Sequence, residues 1–207
     1  LTNVVIPNSV TNIGNNVFDE CINLESIVIG SGMTAINRRS FSGCENLKEI
    51  WVVEENPNYS SSDGVLFNKN QSRLIWCPRG KAGGYLIPAS ITTIDEYAFE
   101  GCSSLTNIVI PDSVISIGNY AFSYCTNLTD VVIGNGVTTI GAYAFEGCTS
   151  LTSIVIPDSV TSVGNYAFSY CTGLTDVVIG NDVTTIGEYA FYYCGNLMDL
   201  YFKGNAP

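Results

Sequence analysis

The sequence predicts a curved α/β solenoid, a right-handed coil with one parallel-sheet strand per turn and short helical or irregular segments on its convex side. Three observations carry this. Leucines at 1, 24 and 47, and again at 105, 128, 151, 174 and 197, lie 23 residues apart within each group. One pattern runs between them, counted from its leucine: L-x-x-I-x-I-[PG]-x-x-V-x-x-I-G-x-Y-A-F-x-x-C-x-x. Phe returns at position 18 of every regular unit, as Phe18, Phe41, Phe99, Phe122, Phe145, Phe168 and Phe191. A unit of this length cannot bury its own apolar face, so only stacking on neighbours makes a continuous core.

Each element follows from the pattern. Positions 4 and 6 are apolar with position 5 between them, a period-2 signal rich in Val and Ile and hence a short strand. Pro or Gly at position 7 stops it, because Pro lacks a ladder donor and Gly weakens a strand; the Asp, Asn, Ser or Gly that follows supplies turn chemistry. Positions 10 and 13 return apolar groups to the centre. Gly14, Gly118, Gly141, Gly164 and Gly187 permit a second bend. The Tyr-Ala-Phe-x-x-Cys segment then has the 3-to-4 spacing of a helical turn or two. A period of 46 is superimposed, with Pro111 and Pro157 alternating with Gly134 and Gly180 at position 7.

The expected organisation is a single solenoid over residues 1–207: regular repeats at 1–46 and 82–196, an irregular repeat at 47–81 and a partial one at 197–207. Opening and closing mid-pattern, the chain reads as part of something longer, with export signals or anchors outside it. In the irregular repeat a Ser-, Asn-, Pro- and Asp-rich loop replaces the helical half. Val65 to Phe67 and Leu74 to Trp76 predict a β-hairpin with its turn in Asn68 to Ser72. It reads as a decorated coil rather than a binding protrusion, since loops accept insertions at small free-energy cost.

Hydrophobic residues make up 46% of the chain, enough for a substantial core, and no uninterrupted run is long enough to cross a bilayer. The net charge is −11. Residues 82–202 hold eleven acids and no base. That disfavours a nucleic-acid partner, which needs a basic stripe to release counterions. A single-sign surface is instead a solubility device.

With no histidine in the chain, Ser-His-Asp and Cys-His catalysis are excluded. The acids recur at repeated surface positions, which argues against one tuned carboxylate pair. No catalytic, cofactor-binding or metal-ligating set is therefore assigned.

Seven of the eight cysteines occupy position 21 (Cys21, Cys44, Cys102, Cys125, Cys148, Cys171, Cys194), with Cys77 apart. Stacked coils line these up at about 4.8 Å, a separation a disulfide accepts. In-register side chains point in parallel, however, and the preferred reading is a row of small buried thiols. A linear row does not offer zinc a tetrahedron. Tyr97, Tyr120, Tyr143, Tyr166 and Tyr189 at position 16 read as half-buried packing rather than a sugar platform. Sequons stand at Asn58, Asn70 and Asn127.

Position 5 is the informative column. Lying between two inward positions, it points onto the face that all strands share. It reads Val5, Val28, Trp51, Leu86, Val109, Val132, Val155, Val178 and Tyr201, flanked at position 3 by Asn3, Glu49, Asn107, Asp130, Asp176 and Asp199. An apolar stripe rimmed by polar groups marks protein interaction sites, and Trp and Tyr dominate their energetics. The competing reading is that Val is simply a good strand former.

The motifs resemble a leucine-rich repeat of the 23-residue, BspA-like subtype. The match is carried by Ile156-Pro157, Val160, Ile140-Gly141, Ala167-Phe168 and Cys171 to Leu174, and by "NPNYSSSDGVLFNK" followed by "LIWCPRGK" in the irregular repeat. The resemblance implies a cell-surface or secreted protein that adheres to host or extracellular proteins through the concave sheet face. A glycan is the weaker candidate ligand. A structural spacer that projects another domain remains the alternative.

Overall fold

The strand expected around positions 4 to 6 is present in each regular coil of the computed structural model, which describes residues 1–204. The chain divides into two compact units, one ending at Lys81 and the other beginning at Ala82. The end of the partial repeat, residues 205–207, lies outside the described residues.

In the first unit, Asn3–Ile6, Ser26–Ile29 and Glu49–Val52 pair parallel in one-coil register, Val5 facing Val28 and Val28 facing Trp51. In the second, Gly83–Leu86, Leu105–Ile110 and Asp130–Ile133 form one parallel sheet, and Ser153–Ile156, Asp176–Ile179 and Asp199–Phe202 form another. Each regular coil adds a second, two-residue strand at positions 12 and 13, such as Thr139–Ile140, which the alternation signal is too short to reveal. Leucine at position 1 and Phe at 18 close the core: Leu24, Leu47, Leu105, Leu128, Leu151 and Leu174 are fully buried, as are Phe99, Phe122, Phe145 and Phe168.

The expected helical segments are not there, and the chain is not α/β. Among the described residues the helical content is one 3-10 turn, Arg38–Phe41. The reason is spacing. A helix is about 10 Å wide with its side chains, whereas coils stacked through strand ladders approach to about 4.8 Å. Here the Tyr97–Tyr120–Tyr143–Tyr166–Tyr189 rings stack at 4.7, 4.6, 4.8 and 5.0 Å, so the coils are as close on this side as on the strand side. The backbone meets this spacing by sharing its donors. Tyr97, Phe99 and Gly101 donate to Asn119, Ala121 and Ser123 of the next coil, while Ala98, Glu100 and Cys102 donate three residues back within their own coil. All five tyrosines consequently sit at φ between 55° and 58°, and position 20 is left-handed as well (Gly101, Tyr124, Gly147, Tyr170, Tyr193). Tyrosine at such a φ is strained, and glycine is not. We expect Tyr143→Gly to be less destabilising than Tyr143→Ala by about 1 kcal/mol, although both lose the ring stack; urea midpoints of the two variants check this, and Ala equal to Gly would sink it.

The 46-residue period is an interlock of two coils. A Cβ on Gly134 would lie 2.5 Å from the Pro111 carbonyl carbon, and one on Gly180 would lie 2.5 Å from that of Pro157. Gly134 and Gly180 thus pack too closely on the preceding Pro coil to carry a side chain, whereas Pro111 itself follows Pro88. The same alternation sets the capping. Asp112 and Asp158 accept the Asn135 and Asn181 N–H at 2.7 and 3.0 Å, while Asn119 and Asn165 accept those of Ala142 and Glu188 at 2.9 Å.

The irregular repeat is a three-stranded antiparallel meander. Val65–Asn68 and Arg73–Trp76 form the expected hairpin, and Tyr59–Ser62 joins it through a two-residue Asp63-Gly64 turn with both φ values positive. The Asp-Gly pair is a hairpin signal in its own right. Val65, Leu66, Phe67, Leu74 and Cys77 are fully buried, and Leu66 and Trp76 belong to the core of the first unit.

Candidate functional site

The alternation that buries positions 4 and 6 leaves position 5 in solvent. In the first unit the column is Val5, Val28 and Trp51, with Trp51 41% exposed. The indole N–H of Trp51 donates to the Glu49 carboxylate at 3.0 Å, which orients the ring. The meander does not fold over it. Instead it continues the edge of Glu49–Val52: the Ile50 N–H donates to the Gly64 carbonyl and the Val52 N–H to the Ser61 hydroxyl, both at 2.9 Å.

In the second unit Leu86, Val109 and Val132 are in register, and so are Val155, Val178 and Tyr201. Leu86 is 70% and Tyr201 62% exposed, and Val178 is half-buried. The position-3 residues Asn107, Asp130, Asp176 and Asp199 are exposed along the same strands. An apolar column beside a carboxylate column can take an apolar ridge of a partner whose rim is polar or basic.

Sequence reasoning missed one feature of this face. The parallel ladder is interrupted between Asp130–Ile133 and Ser153–Ile156, which belong to different sheets. A shallow depression of about 370 Å³ lies at the break, lined by Val132, Val155, Asp130, Ser153, Asp158 and Lys203 among others. Lys203 pairs with Asp158 at 3.4 Å. The Asn181 N–H, and more weakly Lys203, hold the Asp158 carboxyl below its usual range. No repeat signal marks this place, because the pattern reads identically on both sides of it.

The cysteine row is free thiol throughout. Thiols of the row donate to the preceding coil: Cys44 and Cys194 to the carbonyls of Phe18 and Phe168, each at 3.1 Å, and Cys125, Cys148 and Cys171 to those of Phe99, Phe122 and Phe145 at 3.1, 3.2 and 3.1 Å. The Phe99 carbonyl also accepts the Cys102 N–H at 3.0 Å, so both of its lone pairs are used. That is a reason for Cys, rather than another small apolar residue, at position 21. Burial pushes the Cys148 thiol up to about 12 and those of Cys125 and Cys171 well above the ordinary value. Among the described residues no three His, Cys, Asp or Glu side chains converge as metal ligands. Among the same residues no helix is long and apolar enough to cross a membrane.

The sequence family described as the BspA type leucine rich repeat region matches residues 1–75 and 86–206, in six copies. The chain is similar to a leucine rich cell surface protein of Faecalibacterium prausnitzii A2-165, with 30% identity and a TM-score of 0.83 over 99% of this chain and 60% of that one. A leucine-rich repeat protein of Eubacterium ventriosum shares 25% identity, with a TM-score of 0.64 over 92% of this chain and 64% of that one. The pneumococcal vaccine antigen PcpA, 24% identical, has the same fold, with a TM-score of 0.84 over all of this chain and 57% of that one. The chain therefore spans 57 to 64% of the length of these three proteins. No curated protein matches it by sequence.

Proposed function

Because the chain belongs to the BspA-type leucine-rich repeat family, we propose that it is a non-catalytic binding module of a cell-surface or secreted protein, which adheres to an extracellular or host protein through its strand face. The observation that carries this is the position-5 column. Within each strand core burial needs positions 4 and 6 alone, yet position 5 presents Trp51 in the first unit, and Leu86, Val109, Val132, Val155, Tyr201 and the half-buried Val178 in the second, where the polar column of Asn107, Asp130, Asp176 and Asp199 lies beside it. Such a stripe is an interface composition. The cell-surface designation of the similar Faecalibacterium protein supports the location.

The test is an array of extracellular-matrix proteins and glycans probed with the intact chain, then with Trp51→Ala and Val132→Asp. Each substitution is expected to weaken capture of a protein ligand roughly tenfold or more, the scale of a hot-spot loss, with unchanged circular dichroism. Absence of any captured protein would sink the adhesion reading and leave a spacer that projects another domain.

A further inference from the structure

A second candidate surface lies on the turn side of the second unit, away from the strands. At position 20, successive coils carry Gly101, Tyr124, Gly147 and Tyr170, all with positive φ. At position 19 the carboxylates Glu100 and Glu146 sit in the glycine coils, alternating with the buried Ser123 and Ser169. The Tyr124 ring leans over the glycine of the next coil: a Cβ on Gly147 would lie 2.8 Å from Tyr124 Cδ1. The Tyr124 N–H donates to the Glu146 carbonyl at 2.7 Å, which fixes ring and carboxylate in adjacent coils. Tyr124 is 53% and Tyr170 43% exposed. Among the described residues no ring stacks on Tyr124, whereas Tyr170 stacks on Tyr193 at 5.2 Å.

We propose that Tyr124, Glu146 and Tyr170 form a docking site for an arginine side chain on a basic segment of a partner protein. Three features converge. Exposed tyrosine faces attract a cation, and a planar guanidinium stacks on them better than an ammonium does. Glu146, in the coil between those of Tyr124 and Tyr170, supplies the charge partner and a bidentate acceptor. Residues 82–202 contain no base that could occupy it, and the field of eleven acids steers a basic segment toward the site. The local field is already felt within the chain. Burial first, then the Glu146 charge, raises the Tyr124 hydroxyl, and burial raises the Glu146 carboxyl.

The experiment is fluorescence anisotropy of a labelled hexa-arginine peptide titrated with the intact chain in about physiological salt, where long-range charge is screened beyond about 8 Å. Tyr124→Gly is the informative variant. Glycine is the native residue at the equivalent positions 101 and 147, so the ring is removed while the left-handed backbone is kept. It is expected to weaken binding roughly three- to fivefold, the worth of one exposed cation–π contact. Glu146→Gln is expected to weaken it by a similar or larger factor, and Asp182→Asn, which removes the same charge elsewhere on the unit, to leave it unchanged. Hexa-arginine should outbind hexa-lysine. The proposal is overturned if Asp182→Asn costs as much as Glu146→Gln, if Tyr124→Gly binds like the parent, or if the two peptides bind equally, since each outcome reports diffuse charge attraction rather than a site.

Discussion

Replacing Phe145 by alanine is expected to destabilise the second unit by about 3–5 kcal/mol, the range for a fully buried aromatic ring. The ring has no exposure and stacks between Phe122 at 5.0 Å and Phe168 at 5.2 Å. The cavity should stay near its full size, because it has little room to collapse. The Phe145 N–H is bonded to Ala167 of the next coil, and the Phe122 N–H of the preceding coil is bonded to Ala144, both at 2.7 Å. Coil spacing is therefore set by backbone on both sides of the missing ring. In a stack whose stability is a sum of coil and interface terms, the same change weakens coupling across the site, so the coils to either side should melt less cooperatively. Urea unfolding followed by circular dichroism measures both effects, and a loss below about 1 kcal/mol with an unchanged slope would contradict the packing described here.

Alkaline pH is the second large lever. The thiols of Cys44 and Cys148 stand at about 11 and about 12 in the folded chain against an ordinary 9.0, and those of Cys125 and Cys171 are well above it. The cause is burial, which penalises the thiolate. A raised pKa means that the folded state holds protons which the unfolded chain gives up from about pH 9. The stabilisation is thus complete below pH 9 and is lost as pH rises from 9 toward 12. Tyr120 and Tyr166 are shifted in the same direction and steepen the fall. Denaturant midpoints should be flat from pH 7 to 9 and drop sharply by 10.5. A variant with Cys125, Cys148 and Cys171 all changed to alanine should show a shallower drop. An equally steep fall in that variant would show that the thiol row is not responsible.

The strand positions, the core identity of Leu, Phe and Cys, and the outward column at position 5 were all legible, because each follows from alternation or recurrence. The Tyr-Ala-Phe-x-x-Cys segment was misread as helical for a specific reason. Helical spacing of apolar groups records which residues face inward. It does not record whether their N–H groups bond within the coil or to its neighbour, and Phe122 donating to Ala144 rather than within its own coil is decided by the approach of the next coil. Left-handed tyrosine carries no composition signal either. The hint was that Gly and Tyr alternate at position 20, a pair that shares little except tolerance of one backbone shape there. Tyr59–Ser62 was missed although Asp63-Gly64 announces its turn, since Ser-rich strands lack the apolar alternation that identifies the others. At the site, Trp51 and Tyr201 could be read from the pattern, whereas the ladder break beside Val132 and Val155 could not, because it depends on how far two sheets are splayed.

The Pro–Gly interlock has a consequence for how an array of this kind can change length. Excising residues 128–150, a single coil, would seat Pro157 on the coil of Pro111, a Pro-on-Pro succession that the chain already contains where Pro111 follows Pro88. Excising 128–173 instead brings Gly180 onto Pro111, the closer succession that Gly134 makes there now, where a Cβ would lie 2.5 Å from the Pro111 carbonyl carbon. Both length changes leave a succession that the chain already uses, so position 7 allows an array of this kind to shorten by one coil as well as by two.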